Sequence, residues 1–276
     1  MFRPIVPSNV LIHWHEYQKP EDIPEEIFER IRKGFANQRK DNPLVSINII
    51  AWNEEANILR NLSSLSEIKS KHPIEFVYVD NNSKDKTSEI IRRCGITPVF
   101  ETKQGYGFAR QAAIENSHGK YILTGDADTI YPPTWVDTML KPLLAGESIA
   151  CSGTYSFIPP KGQSRLRYAL YEFFRDIIHY LRTINRPYLA VGGVNFCFLR
   201  EEALKIGFIK NNSRSEDGSM ALALLKTGKI KRVTQLKAAA WTITRSVERS
   251  GSFINAVKTR ITKEINRISI YFYKHE

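Results

Sequence analysis

The stretch GKYILTGDADTIYP, residues 119–132, reads as a short apolar β-strand, Lys120–Thr124, that stops on Gly125-Asp126-Ala127-Asp128 just before a proline-started helix. Strands of this length, followed directly by a helical pattern, belong to parallel α/β sheets. The residues upstream repeat the arrangement. Leu44–Ile50 is an apolar run followed by Asn53-Glu54-Glu55 and a helical stretch to about Leu65. Ile74–Val79 stops at Asp80, and the turn NNSKDK leads into a helix through Ile90, Ile91 and Cys94, with Asp85 placed as its N-cap. Thr97–Phe100 is a third short strand, and Gly105-Tyr106-Gly107 opens a helix over Ala109–Asn116. This βαβαβαβ order predicts a mostly parallel sheet with helices on both faces.

Downstream, the pattern predicts a helix over Thr134–Leu144, a strand near Ser148–Tyr155 and a long aromatic amphipathic helix over Tyr168–Leu181. Gly192-Gly193 precedes a strand in NFCFL, and a helix starts near Glu201. Arg214-Ser215-Glu216-Asp217-Gly218 opens another helix, and Ile230–Val233 and Ala238–Ile243 read as strands. Residues 1–43 form an extension in which Ile23, Ile27, Ile31 and Phe35 mark one face of a helix that docks on the body. At the other end, Ile254, Val257, Ile261, Ile265, Ile268 and Phe272 follow helical spacing, with Lys258, Lys263, Arg267 and Lys274 on other faces. The chain therefore divides into an N-terminal extension (1–43), an α/β domain (44–250, with halves 44–131 and 132–250) and a basic amphipathic C-terminal helix (251–276).

Composition narrows the function classes. At 276 residues, 42% hydrophobic and 25% charged, the chain is globular and long enough for a full core. Its 40 Lys/Arg against 29 Asp/Glu give +11, of which +8 falls in residues 229–276 and +4 in 161–186. Such basic segments suit phosphates, anionic lipid surfaces or nucleic acid, and equally a solvated helix face. Cys94, Cys151 and Cys197 are far apart, so a disulfide scaffold or zinc ribbon is excluded and a reducing compartment is expected. The first residues lack the apolar core of a signal peptide, and no run of about 18 apolar residues appears, so no membrane span is expected. The expected location is cytoplasmic, with peripheral contact to anionic membrane through the basic helix as an additional hypothesis. Core packing is the expected fate of the Tyr168–Leu181 stripe, and His13 and His15 read as surface residues.

Three predicted strands end in acids or polar clusters, and the carboxyl ends of parallel strands converge on one crevice. Any one such acid is usually a turn former or helix cap; three together point to a site. Two carboxylates one residue apart can place one on a divalent cation and the other on a ribose or sugar hydroxyl. Hard oxygen ligands suit Mg²⁺ or Mn²⁺, which clamp a diphosphate. Gly105-Tyr106-Gly107-Phe108-Ala109-Arg110 reads either as a flexible turn or as a helix N-terminus and arginine near phosphates. Glu216-Asp217 either favours the first helical turn or takes a proton from a hydroxyl. Arg245 and Arg249, four apart, either face solvent or grip a diphosphate.

The order of these motifs resembles the family 2 glycosyltransferases, inverting enzymes of the GT-A fold. The resemblance is carried by VSINIIAWNEEANI, FVYVDNNSKDKTSEII, KQGYGFARQAAIENSHGKYILTGDADTIYP, GGVNFCFLREEAL and RSEDGSMALAL, from about Val45 to Leu225. It implies a mostly parallel nucleotide-binding sheet flanked by helices, a nucleotide-diphosphate sugar donor, UDP-linked before GDP-linked, and a carbohydrate, glycolipid or other hydroxyl acceptor. It implies that Glu54 or Glu55 and Asp80 hold ribose and base, with Arg110 near the diphosphate. Asp126 would meet the ribose or donor sugar and Asp128 the Mn²⁺ or Mg²⁺. Asp217 would be the base, beside Glu216, with Trp52, Gly192, Gly193 and Asn195 around donor sugar and acceptor. Ala51-Trp52-Asn53-Glu54 departs from the Pro-x-Tyr-Asn-Glu of many members, so Trp52 alters base or acceptor contacts. The Gln-x-x-Arg-Trp motif and membrane helices of processive synthases are missing, which argues for single-sugar transfer. No second protein ligand for the metal is identified.

Two other readings compete. A sugar-phosphate nucleotidyltransferase would carry a glycine-rich loop with a basic residue near the first strand, where this chain has AWNEEAN. A non-catalytic module binding nucleic acid or another polyanion would rest on the basic tail; residues 1–228 carry little excess charge and show no nucleic-acid motif.

Overall fold

The computed structural model describes residues 2–38, 41–209 and 216–244, with four further positions between 255 and 262. Arg214, Ser215, Arg245, Arg249 and nearly all of the expected basic helix lie outside them. The chain begins with α1 (Ser8–Leu11) and α2 (Glu25–Gln38), then β1 (Val45–Ala51), α3 (Ile58–Leu65), β2 (Ile74–Asp80) and α4 (Thr87–Arg93). Next come β3 (Val99–Phe100), α5 (Tyr106–Glu115), β4 (Tyr121–Asp126), β5 (Thr129–Ile130) and α6 (Trp135–Leu144). The second half holds β6 (Ala150–Ser152), β7 (Tyr155–Ile158), α7 (Arg165–Asn185), β8 (Phe196–Leu199) and α8 (Arg200–Ile206). It closes with α9 (Glu216–Leu224), β9 (Ile230–Arg232) and β10 (Ala240–Ile243).

Seven strands form the main sheet in the order β3-β2-β1-β4-β8-β6-β9. All pair in parallel except β8, which runs antiparallel to both β4 and β6. Every residue of the central strand β1 is buried, because helices cover both faces, which is why it reads as a continuous apolar run. On one face Ile47 and Ile49 share a core with Leu59, Leu62, Trp135 and Met139. On the other, Ile50, Val77 and Val79 meet Ala109, Ala112 and Ala113 of α5, whose short side chains let that helix lie close.

The N-terminal extension joins the first core through Ile23, Phe28, Ile31 and Phe35. At Gly34 a Cβ would stand 2.4 Å from the Ser66 carbonyl oxygen, so α2 crosses the end of α3 with no space for a side chain. His13 corrects the expectation of a surface residue. It is 1% exposed, with Nδ1 2.9 Å from Ser63 Oγ. Burial, and then the Arg30 charge, push its imidazole down to about 4, and His15 likewise. Unfolded histidine titrates near 6.5, so between there and pH 4 the unfolded chain takes up protons that the folded one refuses. Stability present above pH 6.5 is therefore lost as pH falls through this window, by up to about 3 kcal/mol from His13. Urea unfolding at pH 7 and pH 5 should show a smaller loss for His13→Gln than for wild type.

The strand expected over 148–155 is two strands in two sheets. β6 stays in the main sheet, while β7 joins β5 and β10 in a second sheet of order β5-β10-β7. The crossing falls at Gly153, where a Cβ would meet the Asn195 amide at 2.2 Å. Asn195 Nδ2 donates to the carbonyls of Thr154 and Ala238, and its Oδ1 accepts from Trp135 Nε1. Asn195, expected on the donor and acceptor side, is buried, and its amide holds the two sheets together.

Helix α7 corrects a further expectation, that its aromatic stripe packs in the core. Its inward face carries Glu172, Arg175 and Asp176, while Leu170, Phe173, Phe174, Ile177, Tyr180 and Ile184 are exposed. The charged stripe is stable inside because Arg3, Arg165 and Arg232 converge on the two acids. Among the described residues no helix is long and apolar enough to cross a membrane.

Candidate active site

The loops at the carboxyl ends of β1 and β2 are bound to each other. Asn53 and Asn82 take left-handed φ of 52° and 61°, a conformation asparagine tolerates better than most residues. Asn53 Oδ1 accepts the Lys84 amide and Thr87 Oγ1 accepts the Glu54 amide. Glu55 Oε2 accepts the Lys86 amide, and Asp85 Oδ2 accepts the Glu55 amide in return. The Glu55 carboxylate is thus committed to the loop, whereas the nearly buried Glu54 accepts from Asn57 Nδ2 at 3.0 Å. Asp80 holds the second loop, accepting from the Ser83 amide and from Ser88 Oγ. Trp52 stands half exposed beside them.

Asn81, in the polar cluster that ends β2, positions the next loop. Its Nδ2 donates to the carbonyls of Glu101 and Lys103, and its Oδ1 accepts the Gly105 amide at 2.8 Å. Gly105 turns the chain at φ 148° into α5, which carries Arg110 under the sheet edge.

Arg110 is 2% exposed and joins the two halves of the site. Its Nη1 donates to the Gly125 carbonyl at 3.0 Å and its Nη2 to Asp126 Oδ1 at 2.9 Å. Its Nε lies 3.5 Å from Asp217 Oδ1, on the first turn of α9. Gly193 covers this contact: a Cβ there would be 2.2 Å from both Arg110 Nη2 and Asp217 Oδ2. Gly125 is forced in the same way, since a Cβ would meet Tyr131 Oη at 2.5 Å. That hydroxyl accepts the Asp126 amide and donates to the Val194 carbonyl, so Tyr131 ties the β4 end to the Gly193 strip.

Asp126 keeps 41% of its side chain open to the cleft. The protein around it, with the Asp128 and Asp217 charges, outweighs Arg110 and pushes its carboxyl up to about 6. Glu216 is buried, its Oε2 has no hydrogen-bond partner, and burial together with Asp217 pushes it up to about 7. Asp128 Oδ1 accepts from Thr129 Oγ1 at 3.1 Å and Thr242 Oγ1 at 3.2 Å. Thr242 comes from β10, 114 positions away, and carried no signal in the sequence. The structure thus brings Arg110, Asp126, Asp217 and Gly193 into contact and places Glu216 beside them, while Arg245 and Arg249 lie outside the described residues. Among the described residues, carboxylates and hydroxyls surround the buried Arg110 and furnish the cleft with hard oxygen donors.

Residues 46–207 match the sequence profile described as Glycosyl transferase family 2. An uncharacterized glycosyltransferase of Haemophilus influenzae is 28% identical over 119 residues, 41% of this chain and 36% of that protein. The matched stretch spans about a third of the length of such curated relatives. Among solved structures, the mannosyltransferase PcManGT from Pyrobaculum calidifontis, in complex with GDP-Man and Mn²⁺, superposes with TM-score 0.59 at 18% identity, covering 86% of this chain and 76% of that one. TarS of S. aureus in complex with UDP superposes with TM-score 0.56 at 16% identity, covering 72% of this chain and 60% of that one. These likenesses extend the shared fold beyond the stretch matched in sequence. With its mostly parallel sheet and a profile match over more than half its length, the chain belongs to glycosyl transferase family 2.

Proposed function

We propose that the chain moves one sugar from a nucleotide-diphosphate sugar, UDP-linked in our assignment, to an acceptor hydroxyl with inversion at the anomeric carbon. The observation that carries this reading is the buried Arg110, which holds the carboxylate of Asp126 and the carboxylate of Asp217 in one cleft. Asp217 takes the proton of the acceptor hydroxyl, and the freed oxygen attacks the anomeric carbon from the face opposite the nucleotide. Arg110 orients Asp217, and Gly193 leaves room for the approach. Glu54, Asp80 and Trp52 surround the base and ribose, and Gly192-Gly193 border the acceptor. Carbohydrates, glycolipids and other hydroxyl compounds all fit the acceptor role.

The donor set fits a Mn²⁺ or Mg²⁺ ion, with Asp128 its main ligand and Asp126 beside it. Bound there, such an ion supplies neutralisation of the charge that grows on the departing diphosphate. Among the described residues no group of three His, Cys, Asp or Glu could cage a metal alone. Nucleotide phosphates and water would complete the shell of such an ion, as is common for Mg²⁺.

Calorimetric titration of UDP and GDP, each with and without Mn²⁺, tests the reading. Wild type should bind one of them in a metal-dependent way, and Asp128→Ala should lose that dependence. A folded wild-type protein that binds neither nucleotide would refute the proposal.

A further inference from the structure

Behind the Gly193 strip, the inward face of α7 builds a second charged cluster. Around the Asp176 carboxylate stand Arg3 at 3.2 Å, Arg175 at 3.0 Å and Arg232 at 3.4 Å. Glu172 pairs with Arg165 at 2.7 Å and lies 4.0 Å from Arg3. Four guanidinium groups thus share two carboxylates. The Nε of Arg3, of Arg175 and of Arg232, and Nη1 of Arg175, are buried without a hydrogen-bond partner. A buried donor left unmet costs about 1–3 kcal/mol, so native proteins rarely leave several together without water, a ligand or an ion to meet them.

Arg175 and Arg232 line a cavity of about 230 Å³, together with Tyr155, His179, Gly192 and Val194. Pockets for drug-sized ligands run to about 300–1,000 Å³, so this one suits a single anionic group and a short part of what carries it. Burial, with the cations of Arg175, Arg232 and Arg182, holds the His179 imidazole well below its usual range. The position relates the cavity to the transfer site. Gly192 and Val194 line it, while Gly193 between them faces Arg110 and Asp217. At Gly192 a Cβ would meet nothing within 4 Å, so the strip itself leaves space at that position.

We propose that this cavity binds a phosphate group of the acceptor substrate, gripped by Arg175 and Arg232, while the acceptor hydroxyl reaches Asp217 beyond the Gly192–Val194 strip. Guanidinium forks match phosphate oxygens in pairs, which a buried arginine cluster is suited to exploit. The inference rests on the reading of the Asp217 cleft as the transfer site, and it narrows the acceptor to phosphate-bearing compounds.

The test follows the His179 imidazole resonance, assigned by its disappearance in His179→Gln, during titration with inorganic phosphate and with glycerol 3-phosphate. Nucleotide titrations are run on the same preparations. In wild type the resonance should shift and its titration midpoint should move upward, because the anion offsets the neighbouring cations. Arg232→Gln should weaken phosphate binding by about tenfold or more, with nucleotide binding unchanged, and Arg232→Lys should recover part of the loss. The exposed apolar face of α7 makes a lipid-borne phosphate a second source. Sedimentation with phosphatidylcholine vesicles containing phosphatidic acid, if lost in Arg232→Gln, assigns the group to a lipid; glycerol 3-phosphate binding without it assigns a soluble acceptor. A His179 resonance indifferent to phosphate, with no Arg232-dependent sedimentation, overturns the cavity's role even where nucleotide binds. Phosphate binding at His179 in a protein that binds no nucleotide sinks the transferase reading instead.

Discussion

Asp217→Asn is expected to lower turnover by about 10²–10⁴-fold, the usual contribution of a positioned general base, while nucleotide binding stays at the wild-type level. The amide keeps the shape of the carboxylate and its place over Arg110 Nε, 3.5 Å away in the wild type. It cannot accept the proton of an attacking hydroxyl. Only 14% of the Asp217 side chain is exposed, so solvent gives the substituted residue little help as a replacement base. Release of nucleoside diphosphate from the donor measures turnover, and calorimetry on the same preparation measures binding. Undiminished turnover would remove Asp217 from the role. Loss of nucleotide binding in step with turnover would show that the residue shapes the donor site and is not the base.

Arg110→Met is expected to damage the fold as well as the chemistry. Methionine fills much of the volume but leaves the Gly125 carbonyl and Asp126 without their donor and Asp217 without its paired cation. Removing one partner of a buried ion pair costs about 3–5 kcal/mol, and the partial exposure of Asp126 places the expected loss near the lower end. In a chain of this size that corresponds to a fall in Tm on the order of 5 °C. The loss should depend on pH in a defined direction. An acid whose folded pKa is raised, as at Asp126 from 3.8 to about 6, stabilises the fold most fully at low pH and loses that contribution as pH rises through the window. Without Arg110 the carboxyl is raised further, so the window extends upward and the deficit of the variant should be larger at pH 8 than at pH 5. Urea unfolding at the two pH values checks it, and an equal deficit at both would mean that Arg110 acts through packing alone.

Much of this arrangement was legible before any coordinates. The buried parallel strands β1, β2 and β4 read as apolar runs because both of their faces are covered. Asp80 and Gly125-Asp126-Ala127-Asp128 stood out because they end those runs. Gly193 and the Glu216-Asp217 pair were picked out as candidates, although their mutual contact was not. Local patterns report local burial, and where burial follows the period of a strand or helix the sequence is enough.

What needed the folded chain was every contact whose partner comes from far away. Arg110 read as an arginine on a solvent face or near phosphates. Only the approach of β4, 16 positions on, and of α9 turns it into a buried bridge. The apolar stripe of α7 promised a core face, yet Arg3 from the N-terminus and Arg232 from β9 make its charged stripe the buried one. His13 became a core residue because Ser63 meets it, and Asn195 a structural amide because the carbonyls of Thr154 and Ala238 and the Trp135 indole converge on it. A polar side chain is stable inside only when its partners arrive with it. The residue types and their spacing along the chain therefore determined the sheet and the acids at its edge, while the tertiary structure alone decided which charges face one another.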